Sequence, residues 1–220
     1  LSIVEEHFNN ASQIKILYSS EGLLGQIIVA DYPLYEEEEK AEGYRRILFV
    51  NRSTQTIVTH KNGEKSFFEY VNVIMEKTVP HPLLPSPRGE GMGERQRALV
   101  LGLGGGSVAN ELAKNGFQVD AVELDERMAD AAKQYFDLDR NVNVYIDDAR
   151  HFVKSEILPK SENKYDVIIL DAFIGEVNPH HLFTQEFFTK IKSILSDSGI
   201  FFINGNGFWN GEAGKGMRSV

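Results

Sequence analysis

The stretch Ala98-Leu-Val-Leu-Gly-Leu-Gly-Gly-Gly-Ser107 decides the fold of this chain. Four apolar residues, typical of a buried strand, lead into a glycine-rich turn, and the segment Val108–Lys114 continues with helical spacing. A second apolar run ends in Val122-Glu-Leu-Asp125, which begins sixteen residues after Gly106. Glycines let the backbone approach a ligand closely, and a carboxylate at the next strand end can accept hydrogen bonds from a ribose. This spacing therefore predicts a nucleoside pocket.

Apolar runs alternate with helical segments from Ala98 onward. The predicted strands are Ala98–Leu101, Val119–Val122, Val142–Ile146, Val167–Leu170 and Ile200–Ile203, and the predicted helices are Val108–Asn115, Glu126–Phe136, Ala149–Leu158 and Thr184–Leu195. Such alternation requires crossovers between parallel strands. We therefore predict an α/β fold, with a Rossmann-like parallel sheet over residues 98–220.

The first part of the chain, residues 1–79, predicts a small antiparallel β domain. Its predicted strands are Ile14–Tyr18, Gly25–Ala30, Arg46–Val50 and Thr54–Val58, followed by a helix over Phe67–Lys77. The acidic residues within 35–42 predict a solvated loop or the start of a helix. Residues 80–97 hold four of the seven prolines and predict a flexible insertion or linker.

Composition excludes several classes of function. The chain has 32 acidic and 23 basic residues, a net charge of −9, which disfavours a nucleic-acid partner. There is no cysteine, so a disulfide, a thiol nucleophile and a thiolate metal site are excluded. His180 and His181 are adjacent and point in different directions, so we predict no metal site. The glycine turn lacks the Lys-Ser/Thr ending of a triphosphate loop.

The chain begins with Leu1, and no apolar run approaches the length of a membrane span. We therefore expect a fragment of a longer protein, either cytoplasmic or the cytoplasmic domain of a protein whose missing N-terminal part lies in a membrane.

Every predicted strand of the parallel sheet ends in glycines or polar residues. These are Gly102, Gly104, Gly105 and Gly106 after the first strand, Glu123 and Asp125 after the second, Asp147–Arg150 after the third, Asp171 after the fourth and Asn204–Asn206 after the fifth. Open parallel sheets bind ligands at the carboxyl ends of their strands. Three consecutive strands ending in carboxylates are hard to explain by helix capping alone, so we predict a ligand site at this edge.

Position along this edge suggests roles. Glu123 is predicted to accept hydrogen bonds from the ribose hydroxyls. Asp148 suits the exocyclic amine of an adenine, and Ala149 leaves space for the ring. Asp171 follows the fourth strand, where a carboxylate can accept a proton from an attacking amine or hold a cation.

Together these segments resemble the spermidine synthase (polyamine aminopropyltransferase) family. The resemblance rests on Leu99–Val108, Val122–Asp125, Asp148-Ala149, Tyr165–Asp171 and Leu182-Phe183, with Tyr18–Val29 and Leu48–Gln55 similar to the two hairpins of that family. It implies the class I S-adenosylmethionine methyltransferase fold after a small β domain, with further strands beyond the fifth. It also implies a homodimer.

The resemblance implies a reaction in which an amine displaces methylthioadenosine from decarboxylated S-adenosylmethionine. In that reaction Asp171 would be the proton acceptor, Glu123, Asp148 and Ala149 would bind the nucleoside, and Gln55 would lie near it. The co-substrate would need no metal, and the acceptor would be a small amine.

Several positions depart from the family pattern. Gly105 stands where the family has an Asp that binds the aminopropyl amine, and Ile174 stands where it has a second Asp. Phe68-Glu69 replaces a Tyr-Gln pair. Three alternatives therefore stay open: an aminopropyltransferase with a changed acceptor, in which Glu69, Glu176 or Asp147 takes over the lost charges, an S-adenosylmethionine-dependent methyltransferase on the same scaffold, and an inactive nucleoside-binding domain.

Overall fold

A computed structural model describes residues 14–36, 39–62, 64–78, 96–157, 164–173 and 178–205. In these residues the strands are β1 (Lys15–Gly22), β2 (Gly25–Glu36), β3 (Glu39–Val50), β4 (Ser53–Lys61), β5 (Glu64–Phe67), β6 (Arg97–Leu101), β7 (Gln118–Glu123), β8 (Asn143–Ile146), β9 (Tyr165–Leu170) and β10 (Leu195–Ile203). The helices are α1 (Glu69–Thr78), α2 (Ser107–Lys114), α3 (Glu126–Tyr135), α4 (Ala149–Phe152) and α5 (Gln185–Ile194).

The second half of the chain forms the predicted parallel sheet. Its strand order is β10-β9-β6-β7-β8, and each neighbouring pair is parallel. Two predicted bounds were wrong. The helix predicted over Ala149–Leu158 ends at Phe152 and continues as a π-helical turn over Val153–Ile157, and the last strand begins at Leu195.

Helices cover both faces of this sheet, because its strands are apolar on both sides. Along β6, Ala98 and Val100 pack on one face in a cluster that includes residues of α1, α2 and α3. Leu99 and Leu101 pack on the other face with residues of α4 and α5. Continuous apolar runs of this kind are typical of parallel strands buried on both faces.

The N-terminal sheet is an antiparallel meander in the order β1-β2-β3-β4-β5. The sequence missed its fifth strand, and the predicted helix over Phe67–Lys77 begins at Glu69. Most of the acidic stretch within residues 35–42 lies in β2 and β3, so the predicted loop or helix start was wrong over most of its length. It lies near the end of the β2–β3 hairpin, where Glu36 pairs with Glu39.

The two sheets meet across α3. Ile27, Val29 and Leu48 of the N-terminal sheet pack against Met128 and Phe136 in a buried cluster. Burial on the order of 25 cal/mol per Å² of apolar surface makes this contact a main source of attachment between the two sheets.

Hydrogen bonds from two ion-paired arginines also join the N-terminal sheet to α3. Arg46 forms a bidentate salt bridge with Asp31, with N–O distances of 2.7 and 2.8 Å, and donates to the carbonyl of Tyr135 at 2.8 Å. Arg127 of α3 pairs with Asp125 and donates to the carbonyl of Gly25 in the β1–β2 turn at 3.1 Å. The N-terminal hairpins are therefore held against the ligand edge of the parallel sheet.

The predicted insertion, residues 80–97, lies outside the described residues except for Gln96 and Arg97. Arg97 opens β6 and donates through its backbone N–H to Asp166 at 3.0 Å, so it belongs to the sheet rather than to the insertion. No helix in the described ranges is both long and apolar enough to cross a membrane.

Candidate active site

A cleft of about 360 Å³ lies at the carboxyl ends of the parallel strands. Backbone hydrogen bonds between neighbouring segments of the chain continue past the carboxyl ends of the strands. The N–H groups of Gly102, Asp147, Asp171 and Asn204 donate to the last residues of adjacent strands at 2.8–3.0 Å. The first residues after four strands are therefore held side by side along one edge, as the sequence predicted.

The glycine turn approaches the neighbouring strand end very closely. Gly102 has φ +100°, and a Cβ atom there would lie 2.2 Å from the carbonyl oxygen of Asp171. Only glycine fits both constraints. Gly102 and Gly104 line the cleft, whereas Gly105 faces Thr56 and Gly106 faces Leu138.

Glu123 lies beside this turn and lines the cleft. Its two carboxylate oxygens accept from the backbone N–H groups of Leu103 at 3.1 Å and Asp125 at 3.0 Å. Burial raises the pKa of Glu123, and these N–H donors oppose the rise. The N–H groups of Gly104 and Leu124 also oppose the rise. The backbone of the glycine turn and of the residues after β7 thus fixes the orientation of this carboxylate at the cleft.

Asp148 and Ala149 also line the cleft, at the start of α4. Asp148 caps this helix by accepting from the N–H of His151 at 2.9 Å, and its second oxygen lies 2.9 Å from Nε2 of His181. Asp147 lines the cleft too and lies 2.7 Å from Nδ1 of His151.

Asp171 is the best-defined chemical group of the site. Its Oδ2 accepts from the hydroxyl of Tyr70 at 3.0 Å, and its Oδ1 accepts from Nδ2 of Asn204 at 2.8 Å. Burial raises the pKa of Asp171 to about 6, although the hydrogen bonds from Asn204 and Tyr70 oppose the rise. The carboxylate is therefore ionised at neutral pH and ready to take one proton.

Tyr70 and Asn204 were missed as site residues. Tyr70 lies on α1 one turn before the buried Ile74, so a helical projection places its hydroxyl toward the interior, where it needs a partner. Burial and the adjacent Asp171 raise the pKa of Tyr70. The hydroxyl therefore keeps its proton at neutral pH and donates a hydrogen bond. Asn204 was noticed only as part of a polar strand end.

The N-terminal sheet contributes one wall of the cleft. Gln55, Thr56 and Phe68 line it. The side chain of Gln55 lies at the cleft as predicted, 3.5 Å from the hydroxyl of Ser53. Thr56 was not predicted; its hydroxyl accepts from the N–H of Gly105 at 2.9 Å.

The departures from the family pattern also have structural settings. A Cβ atom at Gly105 would lie 2.7 Å from Cγ2 of Thr56, so the threonine takes the space of a side chain at this position. Glu69 is exposed and Asp147 is paired with His151, so neither is placed beside Asp171 by these contacts. Ile174 and Glu176 lie outside the described residues.

In the described part of the chain, no group of three or more His, Asp or Glu side chains is arranged to hold a metal ion. The site defines a class: a parallel sheet with a glycine turn after its first strand and a fixed carboxylate at the end of its second is typical of Rossmann-like nucleoside-binding folds, among them the class I S-adenosylmethionine methyltransferase-like fold.

Comparison with known proteins identifies the family to which the chain belongs within this fold class. The family model of the spermine/spermidine synthase domain matches residues 79–213, so the chain belongs to the spermine/spermidine synthase family. The polyamine aminopropyltransferase of Vibrio vulnificus is 31% identical over 200 residues, covering 87% of this chain and 60% of that protein. Spermidine synthase from Thermotoga maritima shares the fold with a TM-score of 0.58 at 24% identity, covering 85% of this chain and 56% of its own.

A methyltransferase is also among the relatives. The N-terminal histidine N-methyltransferase of Emericella nidulans is 39% identical over 107 residues, which cover 49% of this chain and 19% of that protein. This chain therefore spans less than two thirds of the length of each of these relatives.

Proposed function

We propose that this protein transfers an aminopropyl group from decarboxylated S-adenosylmethionine to a small amine. The observation that carries the proposal is the buried carboxylate of Asp171, with a pKa of about 6, at the same cleft edge as the glycine turn and Glu123. The similarity to polyamine aminopropyltransferases supports it. Glu123 would bind the ribose, and Asp148 and Ala149 the adenine, with Gln55, Gly102 and Gly104 around the nucleoside.

The chemistry needs a neutral amine and a proton acceptor. The amine nitrogen attacks the carbon next to the sulfonium, the new C–N bond forms, and the old C–S bond breaks. Sulfur takes the electron pair and leaves as methylthioadenosine. The proton passes from the amine to Asp171, and orientation of the two reactants supplies the rest of the rate enhancement. No metal enters this scheme.

Tyr70 and Asn204 hold the base. With one neutral donor on each oxygen, the carboxylate of Asp171 has a fixed plane while its pKa stays near the working pH. A base whose pKa lies close to the ambient pH is efficient, because it is ionised before the reaction and still basic enough to take the proton.

Methyl transfer from intact S-adenosylmethionine is the second candidate. A specific observation favours it: at Gly105 the turn carries no carboxylate, and Thr56 fills the space. The α-carboxylate of the intact donor would meet a neutral hydroxyl and backbone there rather than a like charge. The similarity to a histidine N-methyltransferase agrees with this candidate.

The two candidates release different products. The chain would be incubated with each donor and a panel of mono-, di- and polyamines, and the nucleoside product identified by mass spectrometry. Methylthioadenosine from the decarboxylated donor supports aminopropyl transfer. S-adenosylhomocysteine from the intact donor supports methyl transfer. If the chain bound both S-adenosylmethionine donors but released neither product, catalysis would be contradicted and a nucleoside-binding domain favoured. The homodimer, the cytoplasmic location and the longer full-length protein stay predictions.

A further inference from the structure

Two histidines that the proposed reaction does not use lie at the nucleobase end of the cleft. His181 reaches Asp148, with 2.9 Å between Nε2 and Oδ2, and His151 reaches Asp147, with 2.7 Å between Nδ1 and Oδ2. Of the two histidines, His181 lines the cleft together with Asp148. Its contact therefore acts on the carboxylate that is proposed to read the adenine.

The carboxylate of Asp148 is an ionised acceptor. Burial alone would raise its pKa, but hydrogen bonds from the His151 N–H and from His181 hold the pKa of Asp148 below its usual range. An ionised carboxylate has no proton to donate, so Nε2 of His181 is the donor in this pair. A carboxylate has about four acceptor sites, and the N–H groups of His151 and Arg150 and the ring of His181 occupy at most three of them, so acceptor capacity remains for a ligand.

His181 is itself held in place by the chain around it. It lies in a 3₁₀ turn, His180–Leu182, that begins after the buried Pro179. Arg150 of α4 donates to the carbonyl of His181 at 3.0 Å, and Leu182 is buried in the core beside α5. The imidazole thus reaches Asp148 from a segment that is anchored on both sides of the ring.

We propose that His181 is a positioning residue that gives the cleft its preference for a 6-amino purine. Held by His181, the carboxylate of Asp148 presents a fixed lone pair to the exocyclic amine of adenine. A 6-oxo purine would present an acceptor to the same lone pair, and two acceptors repel each other. Without His181 the carboxylate can turn toward water, so that discrimination falls. This inference rests on the proposed nucleoside site.

The test compares two nucleosides and four proteins. Affinities of the 220-residue chain for methylthioadenosine and its 6-oxo analogue, methylthioinosine, would be measured by calorimetry for the wild type, His181→Ala, His181→Gln and His180→Ala. Glutamine keeps an N–H donor at similar reach, and His180 is the neighbouring histidine in the same turn, exposed like His181. The readout is the ratio of the two affinities, which a general loss of stability would not change.

We expect the wild type to prefer the amino compound by at least about tenfold, the scale of one hydrogen bond to a charged group. The ratio should fall toward one in His181→Ala, return in His181→Gln and stay at the wild-type value in His180→Ala. An unchanged ratio in His181→Ala, or no recovery in His181→Gln, would overturn the assignment of His181. If the wild type bound neither nucleoside, the proposed nucleoside site itself would fail, and the role of His181 with it.

Discussion

The two ends of the cleft are built in different ways. At the nucleoside end, Glu123 and Asp148 lie at the carboxyl ends of β7 and β8, and both accept from backbone N–H groups. At the reaction end, Asp171 is held by side chains from α1 and from the segment after β10, which lie 101 and 33 residues away in sequence. The nucleoside end is thus built mainly from the parallel sheet and its backbone, with His181 as a contact from a later segment, whereas the reaction end needs a side chain from the N-terminal part.

This difference predicts that binding and turnover can be separated by mutation. Replacing Asp171 with Asn should have the largest effect on turnover, a loss of about 10³-fold, because general-base catalysis is worth roughly 10²–10⁴-fold. The side chain keeps its shape, so affinity for methylthioadenosine should stay within about twofold of the wild type. Steady-state kinetics and calorimetry on the same preparation would check both. Full turnover by the variant would remove Asp171 from the role of base.

The converse change acts on the nucleoside end. Glu123→Ala removes the acceptor for two hydroxyls, and affinity for methylthioadenosine should fall by about 100-fold, since a hydrogen bond to a charged group contributes roughly 1.5–3 kcal/mol. Calorimetric titration measures this loss. Glu126→Ala, on the first turn of α3, is a control on a carboxylate outside the cleft lining. If Glu123→Ala bound as tightly as the control, the ribose assignment would be wrong.

Substitutions at Gly105 and Thr56 test how tightly the glycine turn packs against the N-terminal sheet. Gly105→Ala places a methyl group 2.7 Å from Cγ2 of Thr56. Overpacking of this kind lowers the free energy of unfolding by about 1–3 kcal/mol. Adding Thr56→Ser removes Cγ2 and keeps the hydroxyl that accepts from Gly105, so at least half of the loss should be recovered. Chemical denaturation of the single and double variants gives the coupling between them.

Gly104→Ala is the matched control for this pair. Gly104 has φ +53°, and a Cβ there would lie 3.2 Å from the Thr56 hydroxyl oxygen. Thr56→Ser keeps that oxygen and leaves the backbone strain in place, so it should not rescue Gly104→Ala. Equal rescue of both alanine variants would mean that crowding by the Thr56 methyl group does not determine what fits at position 105.

Tyr70→Phe should have the smallest effect, and it concerns pH. The hydroxyl of Tyr70 lowers the pKa of Asp171; its removal raises that pKa further. Wild-type turnover should fall as the pH drops through about 6, where Asp171 takes up a proton. In the variant this acid limb should move up by about one pH unit, the scale of one hydrogen bond. Rates measured from pH 5 to 9 would show the shift; an unmoved limb would contradict the contact's role.

The same contrast explains what sequence could predict. The glycine turn, Glu123, Asp148 and Asp171 were found because a parallel sheet brings every strand end to one edge, so position along the chain fixes position in the site. The parallel sheet was predicted from the alternation of strands and helices, and the family from the resemblance of the motifs to those of spermidine synthases. Short-range signals such as strand alternation and turn glycines carry that information.

Contacts between distant segments were not predictable in this way. Tyr70 and Thr56 come from the N-terminal part and reach the cleft through long-range packing, Tyr70 through α1 against the parallel sheet and Thr56 through the N-terminal sheet against α3. From the sequence, His181 had no role beyond arguing against a metal site, whereas the fold pairs it with Asp148. The extension of β2 and β3 beyond the predicted strands was missed because its acidic residues have low strand propensity, and cross-strand pairing overrides that preference.

One measurement tests the separation of the two ends most directly: side-by-side calorimetric titration of methylthioadenosine into the wild type, Glu123→Ala and Asp171→Asn. The account predicts that the wild type and Asp171→Asn bind with the same affinity, while Glu123→Ala loses about 100-fold. Equal loss in both variants, or no loss in either, would contradict a cleft with a nucleoside end and a separate reaction end.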